Sequence, residues 1–276
     1  MEHVFSTHVL VNHRLNTVWL DRIRAAGIPK VELFCARQHF DFQDRSQVNE
    51  LGYWFRDAEL LCHSLHSPMY SDDCWGRTGP SSVITITETS KPKRLAAVDE
   101  VKKALEVAEK VPFQYLIQHL GVSGEEYDDA KLEAAFSALE EIVLFARHRG
   151  VEVLLENIPN RLSSAERLIH FNELTHLNLN FCFDTGHAHI MEGVDAAFHL
   201  MQSRIRSTHV HDNNGKDDVH LFPMLAEGGS IDWKRTMELF RACGAQFPLL
   251  LELKDAAAFP HPIEAAKEIF DRLENL

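Results

Sequence analysis

Residues 129–158 read DAKLEAAFSALEEIVLFARHRGVEVLLENI, and they carry the unit on which the whole chain is built. Their first part, about Asp129–Arg149, is the longest helical pattern in the sequence and stops at Gly150, a residue type suited to helix C-termini. It feeds directly into Val151–Ile158, an apolar run of strand length. Toward the N-terminus the same alternation gives strand-like runs at Phe113–Leu120, Glu59–Leu65, Lys30–Ala36 and Val4–Leu10. Helical patterns over about Leu95–Lys110, Ser46–Asp57 and Thr17–Ala26 separate them. Toward the C-terminus, runs at Leu177–Phe183, Ile205–His211 and Phe247–Leu253 alternate with helices that run to about Leu174, over about Val194–Ser203, to Cys243, and over Ile263–Leu273. Ser163 or Ser164 is a candidate cap for the first of these helices and Asp232 for the third. Strands that alternate with helices imply a parallel sheet. Eight such units in 276 residues, with no break in composition, predict closure into a single-domain (β/α)8 TIM barrel spanning 1–276. The first strand–helix turn carries no G-x-G-x-x-G, which argues against a dinucleotide-binding open sheet.

Composition narrows the classes further. The hydrophobic content of 45% is ample for a core, and the net charge of -13 argues against a surface built to grip nucleic acid. No charged leader followed by an apolar segment opens the chain, and no apolar run is long enough to span a bilayer, so a cytoplasmic protein without a membrane partner is expected. The five cysteines have no CxxC spacing and read as reduced residues, mostly of the core. Histidine is the anomaly: 17 of them outnumber the 13 glycines.

In a barrel of this kind the C-terminal ends of the strands decide the chemistry. Here they form a polar set: His66 after the third strand, His119 after the fourth, Glu156 after the fifth, Asp184 with His187 after the sixth, His209 and His211 after the seventh, and Glu252 after the eighth. Asp218 and His220 follow in the next loop. Glu156 and Glu252 come directly after runs of leucine, where a carboxylate costs several kcal/mol or more unless it is paired or metal-bound. Lys254 and Arg206 are the only nearby bases. A divalent cation resolves the conflict, because its charge offsets the carboxylates while imidazoles complete its coordination. His211, His189, His39 and His63 are read instead as outer partners of the ligands, core residues or solvent-facing rings.

The segments Leu155-Glu156-Asn157, Asp184-Thr185-Gly186-His187, Thr208-His209-Val210-His211-Asp212-Asn213, Asp218-Val219-His220 with Gly228 and Ile231-Asp232-Trp233, and Leu250-Leu251-Glu252 resemble the xylose isomerase-like TIM-barrel superfamily. That superfamily includes sugar and sugar phosphate isomerases and epimerases and the endonuclease IV repair enzymes. In its epimerase branch the resemblance implies one divalent ion held by Glu156, Asp184, His209 and Glu252, with His187 contacting substrate oxygens. In its endonuclease branch it implies a three-zinc cluster to which His66, His119, His187, Asp218 and His220 also contribute. The acidic charge, and Val31-Glu32-Leu33-Phe34 followed by His39-Phe40-Asp41, lie nearer the epimerase branch.

The expectation is therefore a divalent-metal-dependent sugar or sugar phosphate isomerase or epimerase, working by proton transfer through a metal-bound enediolate. Glu156 and Glu252 are its acid and base, and His187 polarises a substrate oxygen. Manganese, zinc, cobalt or magnesium would serve; one ion is favoured, with two or three left open. A zinc phosphodiesterase acting on abasic DNA is the alternative. The long irregular segment 69–92 carries Tyr70 and Trp75 and is a candidate lid, or else an arm for contact between copies in a homo-oligomer.

Overall fold

The structure is a computed structural model and describes residues 1–244 and 246–276. Eight parallel strands run in sequence order around the molecule: β1 (His3–Ser6), β2 (Lys30–Phe34), β3 (Leu61–His66), β4 (Tyr115–His119), β5 (Glu152–Glu156), β6 (Asn180–Asp184), β7 (Ile205–His209) and β8 (Leu249–Leu251). The ladder is continuous from β7 down to β1 and on to β8. A bridge between Val210 and Leu251 brings β7 back to β8, with Val210 N donating to Leu250 O at 2.7 Å. The predicted TIM barrel is thus the observed one.

Around the sheet lie α1 (Thr17–Ala25), α2 (Arg45–Asp57), α3 (Lys91–Leu105), α4 (Asp129–Arg147), α5 (Ala165–Leu174), α6 (Thr185–Ile190), α7 (Val194–Met201), α8 (Trp233–Ala242) and α9 (Pro262–Glu274). Several begin at a side chain that satisfies the free backbone N–H groups of a first turn. Asn16 accepts from Val18 N and Trp19 N, Asp44 from Ser46 N and Gln47 N, Asp128 from Ala130 N, and Asp232 from Arg235 N, as its position predicts. Ser164 occupies the cap position of α5 without making the bond. After α4 the chain turns through Gly150 at φ 71°, a left-handed conformation that costs glycine least.

Two apolar layers result. The larger packs the outward strand faces (Val31, Leu33, Leu155, Phe181, Phe183) against the helices, and a smaller plug of Tyr115, Ile117, Leu154 and Cys182 fills the barrel. Side chains alternate along a strand, so residues two apart share a face. Glu156 stands two beyond Leu154 and Asp184 two beyond Cys182, and both therefore emerge just above that plug. Register does the rest, pairing His119 with Glu156 and Asp184 with His209.

Two local readings change. Inside the segment 69–92, Val83–Thr87 has the alternation of a short strand by sequence but makes a single bridge, from Val83 to Tyr70. The six-residue α6, directly after β6, was not foreseen. Lys91, Lys93 and Arg94 lie in the first turn of α3. All five cysteines are free, and no described helix is long and apolar enough to cross a membrane.

Candidate metal centre

Glu156, Asp184, His209 and Glu252 converge at the top of the plug, each offering an atom within 4.8 Å of the others. His209 Nδ1 lies 3.2 Å from Glu156 Oε1, 3.5 Å from Glu252 Oε2 and 3.9 Å from Asp184 Oδ2. All four residues are buried. Neither Lys254 nor Arg206 pairs with them among the described residues: Lys254 is exposed, and Arg206 donates to the carbonyls of Ser203 and Ile205.

Two further groups flank the centre. His119 Nε2 is 3.1 Å and His66 Nε2 3.7 Å from Glu156 Oε2, so this carboxylate belongs to both groups. On the other side His187, His211, Asp218 and His220 gather, with Asp218 oxygens 3.3 Å from His187 Nε2 and 3.2 Å from His220 Nε2. The rings of His211 and His220 stack at 3.7 Å, and His211 Nε2 reaches Asp184 at 3.1 Å. Every residue proposed from the sequence is therefore brought to one place. His211, read there as an outer partner of the ligands, a core residue or a solvent-facing ring, stands in the last of these groups with its Nε2 on Asp184.

Backbone contacts aim these rings. His66 Nδ1 donates to Ser67 O at 2.9 Å, His187 Nδ1 to Asn157 O at 3.0 Å and His220 Nδ1 to Glu252 O at 3.0 Å. A ring that gives one N–H to a carbonyl turns an unprotonated nitrogen the other way, as a metal ligand requires. Asn157 clamps Asp184 twice, donating from Nδ2 to its carbonyl and accepting its N–H at Oδ1. The loop carrying Asp218 and His220 is tied by Asp212, whose carboxylate accepts from Asn213 N, Ser230 N, Ile231 N and Trp233 Nε1.

Charge balance is achieved with imidazoles. Burial alone would raise the Glu156 carboxyl, but His209 and His119 hold it well below the usual carboxylate range. Burial opposes a charged His187, yet Asp184 and Asp218 carry it well above the ordinary imidazole value. His220 is pushed up to about 9 against its burial, chiefly by Asp218. Even so, Glu156 Oε1 and His209 Nδ1 are buried without a hydrogen-bond partner. Orphaned oxygen and nitrogen facing each other among carboxylates are a donor set that fits a divalent cation of the zinc or manganese kind.

The sequence reading passed over two residues here. Glu32 on β2 is fully buried, and His8, just past β1, meets His220 edge to face with its Nδ1 unpartnered. Phe34 and Trp75 stand beside His8 at 4.5 Å and 6.2 Å between ring centres. Trp75 comes from the segment 69–92 and also touches Tyr70. Next to His66 and His119 lies a cavity of about 310 Å³ walled by Met69, Tyr70, Ile84 and Val122. A larger one, about 470 Å³, sits at the opposite end of the strands between Tyr53, Leu61 and Pro112, away from these ligands.

A parallel eight-stranded barrel that gathers histidine and carboxylate side chains at its C-terminal mouth is a TIM barrel with a candidate metal site. Within that class, residues 20–276 match the family described as xylose isomerase-like TIM barrel, and the chain belongs to it. An uncharacterized protein of Methanocaldococcus jannaschii is 28% identical over 70% of this chain and 68% of its own length. A D-tagatose 3-epimerase-like protein is similar in structure, with a TM-score of 0.78 and 22% identity across 100% of this chain and 97% of that one. The IolI protein with a bound zinc atom gives 0.72 and 16%, covering 99% and 96%.

Proposed function

We propose that this chain is a divalent-metal-dependent isomerase or epimerase acting on a sugar or sugar phosphate. The observation that carries the reading is the convergence of Glu156, Asp184, His209 and Glu252 on one buried point. A divalent cation held there would supply Lewis acidity, stabilising the negative charge that develops on oxygen when a carboxylate takes the proton from a carbon next to a carbonyl.

Glu156 and Glu252 come from β5 and from just past β8, on different sides of the centre, which suits removal of a proton by one and its return by the other. Return to the opposite face gives epimerisation, and return to the neighbouring carbon gives aldose–ketose exchange. His187, aimed by Asn157 O and Asp218, stands beside the centre, where a substrate oxygen would meet its Nε2 in place of Asp218. The cavity beside His66 and His119 has room for the remote part of a small sugar, and Trp75 and Phe34 form an apolar wall that limits water at the mouth. The segment 69–92 acts in this scheme as the lid that brings Trp75 into place.

The test is solvent deuterium uptake into a panel of ketoses and ketose phosphates by manganese-loaded protein. Wild type should exchange one carbon-bound proton of its substrate. Glu252→Gln should lose turnover by about a hundredfold or more while remaining folded, as expected for a lost acid–base group. Near-normal exchange by that variant would refute the assignment.

One observation favours a second reading. The His66–His119–Glu156 and His187–His211–Asp218–His220 groups flank the centre and could each hold an ion, as a zinc phosphodiesterase on abasic DNA requires. Elemental analysis separates the two: about one ion per chain supports the isomerase, and close to three zincs with nicking of an abasic duplex supports the nuclease.

A further inference from the structure

The site's histidines are not all backed in the same way. His66, His187 and His220 each turn one nitrogen to a backbone carbonyl, as does His211 toward Asp212 O at 3.4 Å. His209 is different. Its Nδ1 faces the carboxylates of the centre, and its Nε2 lies 3.3 Å from both oxygens of Glu32. Glu32 comes from the middle of β2, is completely buried, and accepts a second hydrogen bond from Ser64 Oγ at 2.8 Å. No Lys or Arg pairs with it among the described residues, and its Oε1 has no hydrogen-bond partner of good geometry. A carboxylate in such a position carries a large desolvation cost, and replacing it with an apolar residue would remove that cost. It must therefore act on something, and among the described residues the one ionisable side chain within hydrogen-bond reach of it is His209.

We propose that Glu32 is the positioning residue for the central ligand. By holding the His209 proton on Nε2, it presents an unprotonated Nδ1 to the centre and makes that nitrogen a stronger donor. The reasoning rests on the metal reading of the site and adds to it a residue that touches neither ion nor substrate. A backbone carbonyl could fix the same tautomer, but only an ionised partner also raises the basicity of the ring. The other three inward carboxylates share several imidazoles, whereas Glu32 is committed to one. Its reach is set by register: β2 and β3 slip by one residue between Val31 and Glu32, which places Glu32 opposite Ser64, and Ser64 fixes the carboxylate.

Glu32→Gln tests the idea with the full chain. The amide is nearly isosteric and can still accept from Ser64 or His209. Its NH2 end, however, can also donate to Nε2, which would move the ring proton to Nδ1 and remove the ligand. Zinc and manganese dissociation constants measured by chelator competition should rise by about 10- to 100-fold, in the range seen when outer partners of metal ligands are lost. The melting temperature of the metal-free variant should stay within about 5 °C of wild type. Glu32→Asp, which keeps the charge with a shorter reach, should fall between the two in affinity, and it serves as the reading if the Gln variant is poorly folded. Affinities within about twofold of wild type in both variants, or a metal-free melting point that collapses as far as the affinity does, would overturn the role given to Glu32. A wild-type chain that retains no ion after saturation and gel filtration would instead overturn the metal reading itself.

Discussion

His39 and His63 lie outside the metal centre, and they show what a buried histidine does when nothing charges it. His39 gives Nδ1–H to His13 O and His63 lies against Ser207 Oγ, with both rings buried. Burial pushes each ring down to about 4. An unfolded histidine protonates near 6.5. Both rings are thus neutral in the folded chain at pH values where the unfolded chain already binds protons. Their contribution to stability is fully present above about 6.5 and is lost as pH falls toward about 4. Denaturant midpoints should therefore fall over that window, and His63→Phe should flatten the fall; an unchanged slope would exclude His63 as a source. The contrast with His187 and His220, raised by Asp218, explains why residue type alone could not sort these rings in the sequence. The strand-end position did sort most of them. It gave no sign of Glu32, whose only signal was a carboxylate inside the apolar run Val31-Glu32-Leu33-Phe34.

At the scale of elements, the loop between β7 and α8 depends on one side chain. Asp212 accepts four hydrogen bonds, at 2.7–3.1 Å, from groups on both sides of the loop. Removing one acceptor leaves each buried donor unsatisfied at about 1–3 kcal/mol. Asp212→Ala should lower the melting temperature by several degrees and open the loop to proteolysis, with the flanking ligands Asp218 and His220 losing their place. A variant that resists protease like wild type would show that the loop is held by other contacts. Elements with long periodic patterns were readable: all eight strands occur where expected, and helices such as α4 fall close to their expected bounds, but β1 ends at Ser6 and Thr7–Leu10, expected to continue it, forms a 3-10 turn. The short α6 was not, because Thr-Gly-His-Ala-His has weak helix formers and six residues show little periodicity. Its readable signal was Asp184, which caps it by accepting from His187 N at 2.7 Å while also facing the centre. The irregular segment 69–92 gave no fold signal, since its order comes from Asp72 collecting Gly76 N and Thr78 N and from Trp75 docking on Phe34.

For the molecule as a whole, an ion and protons compete for the same nitrogens. His209, the ring of the central quartet, is raised well above the ordinary imidazole value against its burial, by Cys182 and then by Glu252, Glu156 and Glu32, and a ligand ring must be unprotonated. Metal affinity should therefore keep increasing as pH rises above the ordinary imidazole range near about 6.5. Titrations at a series of pH values check this, and a flat profile would argue against His209 as a ligand. Saturation at about 100 times the dissociation constant should add about 2.7 kcal/mol to folding, and a chelator should abolish the gain.

The barrel order was legible because chain order and strand order coincide. That coincidence has a consequence for assembly. The seam at Val210–Leu251 is closed by β8, only three residues long, and Glu252 follows it immediately. Of the eight strands β8 is made last, so Glu252 is the final member of the central quartet to arrive. A nascent chain that has not reached β8 can build most of the cylinder with only three of the four side chains, so under the proposed function a divalent cation should bind securely only once β8 has emerged.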